Sequence, residues 1–546
     1  MPLSPRTFWA LALLALAIIA APIWIFTELP ILDYPAHLVR VTLLSHLPLD
    51  PILARYWTVH LRPVANLGMD LFVPAVAPLT GPVAGLKLFA TLGLALWIAG
   101  AGLLFRGFWG RYDAQALLAA PFAFNAPFSW GFFNFHFGAG LALVGAGLWA
   151  MRDRRSFLFL GAMAGFGLVL LFCHMTALAV FALILGGIEL GRLFAGGFRL
   201  HRTIQVVCDG LIVFLPSVLV WTLWVEHGAG GDLLFDFLAN VEAPFTVSTA
   251  FGASARYAPP ILIMLAWLVA WRTGRLRVAP LGIGLMLITA LATFLMPSEA
   301  LGGSNIELRM GAIFIVVGLS VLAVEWTRLI PWPHPSLMCS FYFALLAAGS
   351  ALTIVSWRAP VAAVAELRQM NATQLPYGAR LATALADSDR DDLWHVADFA
   401  ILDRKAFVPA FFATPGQSTV RLKQPFAAIG AVNADDGGAI TVGEVKALLD
   451  GEYDDLDADD RVRLRPYRTL ACDFDYLAII GSRPNDLPAD FIPVAARPRA
   501  ALYRIAPAPE RHCPLREVQS ESKEAQISPP MGSSQILRQD RAGDVL

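Results

Sequence analysis

Three side chains able to handle protons and phosphate stand close together near the start of this 546-residue chain. They are Asp33, His37 and Arg40, in the segment Leu32-Asp33-Tyr34-Pro35-Ala36-His37-Leu38-Val39-Arg40. Four and three residues apart, they would share one face of a helix. A carboxylate kept from water can take a proton from a hydroxyl, and a guanidinium can hold a phosphate through its planar fork. With an imidazole beside them, they suit chemistry on an anionic, lipid-linked substrate. Pro35 permits such a helix only in its first turn, with Asp33 at or just before the N-cap. The segment therefore has two readings. In one, Asp33 is a general base with His37 as its companion and Arg40 on a phosphate. In the other, Asp33 caps an interfacial helix while His37 and Arg40 face lipid headgroups.

The elements around this segment are membrane helices. The chain is 57% hydrophobic and 15% charged, with a mean hydropathy of +0.60, which places it outside the soluble globular class. A net charge of -1 and the lack of a basic cluster give no footing for nucleic acid. The first apolar run, Phe8 to Phe26, is long enough to cross a bilayer. Only Arg6 precedes it, so the positive-inside rule puts the N-terminus in the cytoplasm and Asp33 on the outer face. Further along, Arg106 and Arg111, then Arg152, Arg154 and Arg155, then Arg192, Arg199 and Arg202, alternate with apolar runs. Arg272, Arg275, Arg277 and Arg328 continue the pattern. About eleven crossings put every cluster on one side, and the last exit, near Trp357, is outward.

From about Pro360 the composition turns polar. The expected organisation is a multi-span domain over 1–358, an extracytoplasmic α/β domain over 359–506 and a disordered tail over 507–546. Phe474 to Ile480, Phe491 to Ala496 and Ala501 to Ile505 have strand-like content, and Val442 to Leu449 reads as a short helix. Cys472 and Cys513 lie in this polar part, where a disulfide and two free thiols are both compatible with the sequence. The segment Asn433 to Glu444 has some offsets of a calcium loop but lacks several ligands, and an ordinary turn is the stronger reading.

Other ionisable groups gather at the outer ends of the expected spans. A proton-coupled transporter would place carboxylates near mid-span, whereas an enzyme working at the membrane surface would place them as here. Arg309, in Glu307-Leu308-Arg309, sits where the chain re-enters the membrane and either binds a lipid phosphate or anchors the helix. His136, His174, Glu226 and Glu307 are secondary candidates, and the two histidines also fit hydrogen-bonded packing roles. The loop after Trp224, with Gly228, Gly230 and Gly231 followed by Phe235 and Phe237, reads either as a lid over the site or as a plain surface loop.

About eleven spans, an acidic residue in the first outer loop and a C-terminal outer domain resemble the GT-C superfamily of membrane glycosyltransferases. The resemblance covers most of the chain as architecture, and the Asp33-to-His37 spacing is similar to uncharacterised bacterial branches of that superfamily. It implies a polytopic α-helical membrane protein with a small extracytoplasmic α/β domain, in the bacterial inner membrane. It further implies transfer of a sugar from a polyprenyl-phosphate donor to an envelope acceptor, with membrane lipid as the other partner. The families concerned commonly carry two adjacent acids in the first loop, whereas here Tyr34 follows Asp33, so a divalent metal is left open. A non-catalytic membrane protein binding lipid or partners is the main alternative, and a transporter or flippase the next.

Overall fold

The computed structural model describes residues 2–506 apart from 48–49, 61, 153–154, 229–232, 250–255, 301–302, 326–334, 387–392, 410, 412, 431–439, 451–459, 462–463, 482–486 and 488–489. The calcium-loop segment up to Ala439, most of the acidic run before Arg461, Gly230, Gly231, Cys513 and the tail lie outside the described residues.

The helices that build the site are, in chain order, α1 (Pro5–Ile25), α2 (Tyr34–His46), α3 (Gly68–Thr80), α4 (Pro82–Trp109), α5 (Phe133–Ala150) and α6 (Phe157–Cys173). They continue with α7 (Met175–Gly196), α8 (Leu200–Leu223), α9 (Ala258–Arg272), α10 (Ile283–Leu295), α11 (Ile306–Val321) and α12 (Pro335–Gln374). Among the described residues, α1, α4, α5, α7, α8 and α12 are long and apolar enough to cross a membrane, and α6, α9 and α10 are shorter apolar helices. The chain is a multi-pass membrane protein of mainly helical architecture. Local signals match the boundaries: Ser4 caps α1 by accepting from the Thr7 N–H at 3.1 Å, with Pro5 behind it.

A seam of small residues locks α4 to α5. Leu143 packs on Gly100, Leu103 on Gly147 and Ala150 on Gly107, so closely that a Cβ on Gly100 would lie 2.5 Å from that of Leu143. Without a hydrophobic drive between helices in lipid, such close approach supplies the packing energy. The contacts advance in the same direction along both helices, so α4 and α5 are parallel. The intervening segment must therefore return across the layer. It does so as a 3-10 helix over Ala114–Ala119, one α turn over Ala120–Ala123 and a short helix over Ala126–Trp130. Gln115 satisfies this buried passage by donating to the Leu319 carbonyl at 3.0 Å and accepting from the Val324 N–H at 2.9 Å. The passage delivers Trp130 and Gly131 to the face that holds Asp33.

The arginine-rich face is tied together by two antiparallel ribbons, Pro2–Leu3 with Tyr112–Asp113 and Leu276–Val278 with Leu322–Val324. There Glu189 of α7 and Asp209 of α8 hold Arg152, Arg155 and Arg192.

On the opposite face α12 leaves the membrane layer unbroken to Gln374, so the point between 358 and 359 lies inside a helix. Beyond it, β1 (Leu381–Leu385), β2 (Ile440–Thr441), β3 (Tyr476–Ile480), β4 (Phe491–Arg497) and β5 (Ala500–Ile505) form one mixed sheet in the order β4-β5-β3-β1-β2. β1 is parallel to both β2 and β3, while β5 is antiparallel to β3 and β4. Cys472 is buried and disulfide-bonded. The domain is stitched to the membrane part in two places. Arg368 of α12 bridges Glu28 and Asp403, and Trp57–Val59, between α2 and α3, pairs with Val420–Leu422.

Candidate functional site

Asp33 stands at the N-cap position of α2 with Pro35 in the first turn, as the sequence requires, but its side chain makes no capping hydrogen bond. Its backbone is held instead. The Asp33 N–H donates to the Trp130 carbonyl at 3.1 Å, and the Asp33 carbonyl accepts from the His37 N–H at 2.9 Å. The carboxyl is thereby left to face a cavity of about 780 Å³. Burial raises its pKa to about 7, with the nearby Arg309 charge opposing.

The other two members of the helix face have different tasks. His37 lines the cavity, but its Nε2 lies 2.8 Å from the Gly131 carbonyl, where it donates. Burial first, and the Arg40 charge second, hold the ring neutral with a pKa of about 3. Arg40, read from the sequence as a phosphate ligand, is committed to the protein. Its Nε donates to Asp70 at 3.0 Å, Nη1 to the Gln417 carbonyl at 2.9 Å and Nη2 to the Asn66 carbonyl at 3.0 Å. Asp70 also accepts from Thr419 at 3.1 Å. Buried charge needs this degree of pairing, and the cluster clamps α2 to α3 and to the C-terminal domain.

Arg309, from the first turn of α11, lines the same cavity. It is 5% exposed, and it has no ion-pair partner among the described residues. Nη1 donates to Thr176 at 3.3 Å, and the guanidinium carbon lies 4.6 Å and 5.2 Å from the Phe132 and Phe135 ring centres. Nε has no hydrogen-bond partner among the described residues. His174 caps α7 by accepting from the Thr176 N–H at 3.1 Å, so it orients the residue that orients Arg309. Asp33, His37, Arg40, His174, Glu226 and Arg309 all line one cavity.

His136 and Glu307 are not in its lining. His136 is buried, stacked on Trp97, with Nε2 2.8 Å from the Ala123 carbonyl, which is a packing role. Glu307 is buried in the first turn of α11, where a carboxylate complements the helix dipole. Glu226 reaches the rim, 3.1 Å from Arg421 of the outer domain. Gly228 of the same loop packs on the Pro415–Gly416 backbone.

Sequence reasoning missed the C-terminal domain's own contribution. Trp394 and His395 line the cavity, and His395 Nε2 lies 3.6 Å from Asp33 Oδ1. Burial lowers the His395 pKa to about 4. A tryptophan and a histidine side by side in a polar domain were the available signal. Among the described residues, no three His, Cys, Asp or Glu side chains gather as a metal-ligand set.

No protein-family model and no curated protein sequence matches the chain. Among solved structures it is similar to the crystal structure of ArnT from Cupriavidus metallidurans bound to undecaprenyl phosphate. The TM-score is 0.45 at 13% identity, over 91% of this chain and 97% of that one. A likeness at that level leaves the reaction to be read from the site itself.

Proposed function

We propose that the chain transfers a glycosyl group from a polyprenyl-phosphate sugar to a hydroxyl of an envelope acceptor, on the outer face of a bacterial inner membrane. One observation carries the reading. A buried carboxyl without a capping hydrogen bond and a buried guanidinium without an ion-pair partner among the described residues line one large cavity.

The chemistry follows from those two groups. Ionised Asp33 takes the proton of the acceptor hydroxyl as its oxygen bonds to the anomeric carbon. The bond from that carbon to the phosphate oxygen breaks, and its electron pair stays on the phosphate. Arg309 offsets the charge that gathers there, in a site where few waters compete. The rings of Trp130, Phe132, Trp221 and Trp394 line the remaining wall and supply apolar faces for sugar and isoprenoid.

The test uses membranes in which the chain is overproduced, supplied with radiolabelled polyprenyl-phosphate sugars. Wild-type chain should release polyprenyl phosphate, and Asp33→Asn should not, while remaining inserted at normal levels. Asn keeps the shape of Asp but cannot act as the base. Release at the wild-type rate by Asp33→Asn would overturn the reading. Tight binding of the lipid with no turnover by the wild type would point to the non-catalytic alternative.

A further inference from the structure

Behind His395, which the C-terminal domain supplies to the cavity wall, lies a second carboxyl that the transfer chemistry above does not use. Asp398 is fully buried. Its Oδ2 lies 3.8 Å from His395 Nδ1, and the opposite nitrogen of the same ring lies 3.6 Å from Asp33 Oδ1. Neither Asp398 oxygen and not His395 Nδ1 has a hydrogen-bond partner among the described residues. Three buried polar atoms left open in this way are costly unless they serve one another.

Local structure explains how they line up. His395 precedes a 3-10 turn over Val396–Asp398, closed by the Asp398 N–H donating to the His395 carbonyl at 3.1 Å. That turn brings Asp398 back beneath the ring of the residue three before it. The chain then enters a short helix at Phe399, whose buried ring lies under Arg368. The histidine is thus carried on a braced turn at the inner edge of the outer domain.

We propose that Asp398 and His395 form a positioning pair for Asp33, delivered by the outer domain. This rests on the reading of Asp33 as the base. When the cavity is filled, Asp398, protonated in its dry setting, closes from 3.8 Å to a hydrogen bond in which its O–H donates to His395 Nδ1, and this fixes the tautomer that carries hydrogen on Nε2. That N–H points at Asp33 Oδ1 and closes to a hydrogen bond when substrate fills the cavity, as catalytic contacts commonly tighten on binding. Oδ1 is then occupied, and Oδ2 alone is presented to the acceptor hydroxyl. His395 stays neutral throughout, and no proton passes along the pair. Among the described residues near Asp33, His37 of α2 is spent on Gly131, and Arg309 of α11 is assigned to the leaving phosphate. A complete base therefore exists only while the outer domain is docked.

The experiment reads the protonation of Asp33 directly. A hydrophobic carbodiimide labels protonated carboxyls, and peptide mass spectrometry follows the Asp33 adduct against pH in the full-length protein in detergent, saturated with polyprenyl phosphate so that the cavity is filled. Loss of the Nε2–H donor in His395→Ala should raise the labelling midpoint of Asp33 by at least about half a pH unit. His395→Phe keeps the ring volume without the donor and should show the same shift, which covers a failure of the alanine variant to fold. Asp398→Leu should also raise the midpoint, while Asp398→Asn, whose amide still donates to Nδ1, should stay near wild type. An unchanged midpoint in both histidine variants overturns the proposal, even where sugar transfer proceeds. In transfer assays the same histidine variants should lower kcat about tenfold with KM for the lipid donor unchanged, and an equal loss through KM would also overturn it. Absence of transfer by the wild type sinks the glycosyl-transfer reading and leaves the labelling comparison standing.

Discussion

Gly131 stands against Asp33 with no space for a side chain between them: a Cβ on Gly131 would lie 2.7 Å from that of Asp33. Gly131 also has φ +95°, a conformation that L side chains rarely adopt. Two features of the site, the hydrogen bond from Asp33 to Trp130 and that from His37 to Gly131, depend on this close approach. Gly131→Ala is therefore expected to lower turnover at least tenfold while the protein still inserts, at a cost of about 1–3 kcal/mol in strain and overlap. Full activity of this variant, measured beside its melting temperature, would show that the fit is not needed.

The pH profile follows from Asp33. A base must be ionised, so turnover should rise with pH, reach half its plateau near pH 7 and flatten above it. An unshifted carboxyl would place that limb about three pH units lower. Initial rates between pH 5 and 9 separate the two.

Arg309 should govern donor affinity. Arg309→Ala is expected to raise KM for the polyprenyl-phosphate sugar about tenfold or more, equivalent to about 1.4 kcal/mol. Arg309→Lys should recover only part of this, because an ammonium lacks the planar fork and its stacking on Phe132 and Phe135. Binding of polyprenyl phosphate itself should weaken in parallel. Equal KM in all three proteins would contradict the assignment.

Arg40 should behave as a structural residue. Its side chain and that of Asp70 are 2% and 3% exposed, and removing one partner leaves the other charge buried alone. Arg40→Ala should cost about 3–5 kcal/mol, seen as a lower unfolding temperature in detergent. Faster proteolysis of the outer domain should accompany it. A variant of normal stability with weakened donor binding would restore the phosphate-binding role.

Orientation can be read with a fusion. A reporter active only in the periplasm, attached after Arg404, should give signal, because that residue lies on the face opposite the arginine clusters. Signal from a cytoplasm-only reporter at the same point would invert the proposed topology.

Much of the architecture could be read along the chain. Apolar runs and arginine clusters are local signals, and so is a polar group placed directly after the first span. The strands at Tyr476–Ile480, Phe491–Arg497 and Ala500–Ile505 carry β-branched and aromatic residues and were legible too. The strand Leu381–Leu385 was not, since its Leu-Ala-Thr-Ala-Leu sequence is buried throughout and has little β character of its own. Spacing correctly placed Asp33, His37 and Arg40 together, yet it could not divide their labour. That division is set by Gly131, Asp70 and Gln417, which only the fold brings near. His395 was hidden for the same reason: nothing near it in the sequence announces Asp33.

The continuous helix α12 turns the number of residues it contains into a setting of angle as well as height. Each residue adds about 1.5 Å and about 100° of rotation, and the helix runs without a joint from the membrane layer to the base of the outer domain. One residue inserted before Arg368 would swing everything beyond by more than a quarter turn, taking His395 away from Asp33 and Arg368 away from Glu28. Seven residues would nearly restore the phase but lift the domain by about 10 Å. Substitutions along this shaft are thus far easier to accommodate than insertions or deletions, and its length acts as a ruler for the site.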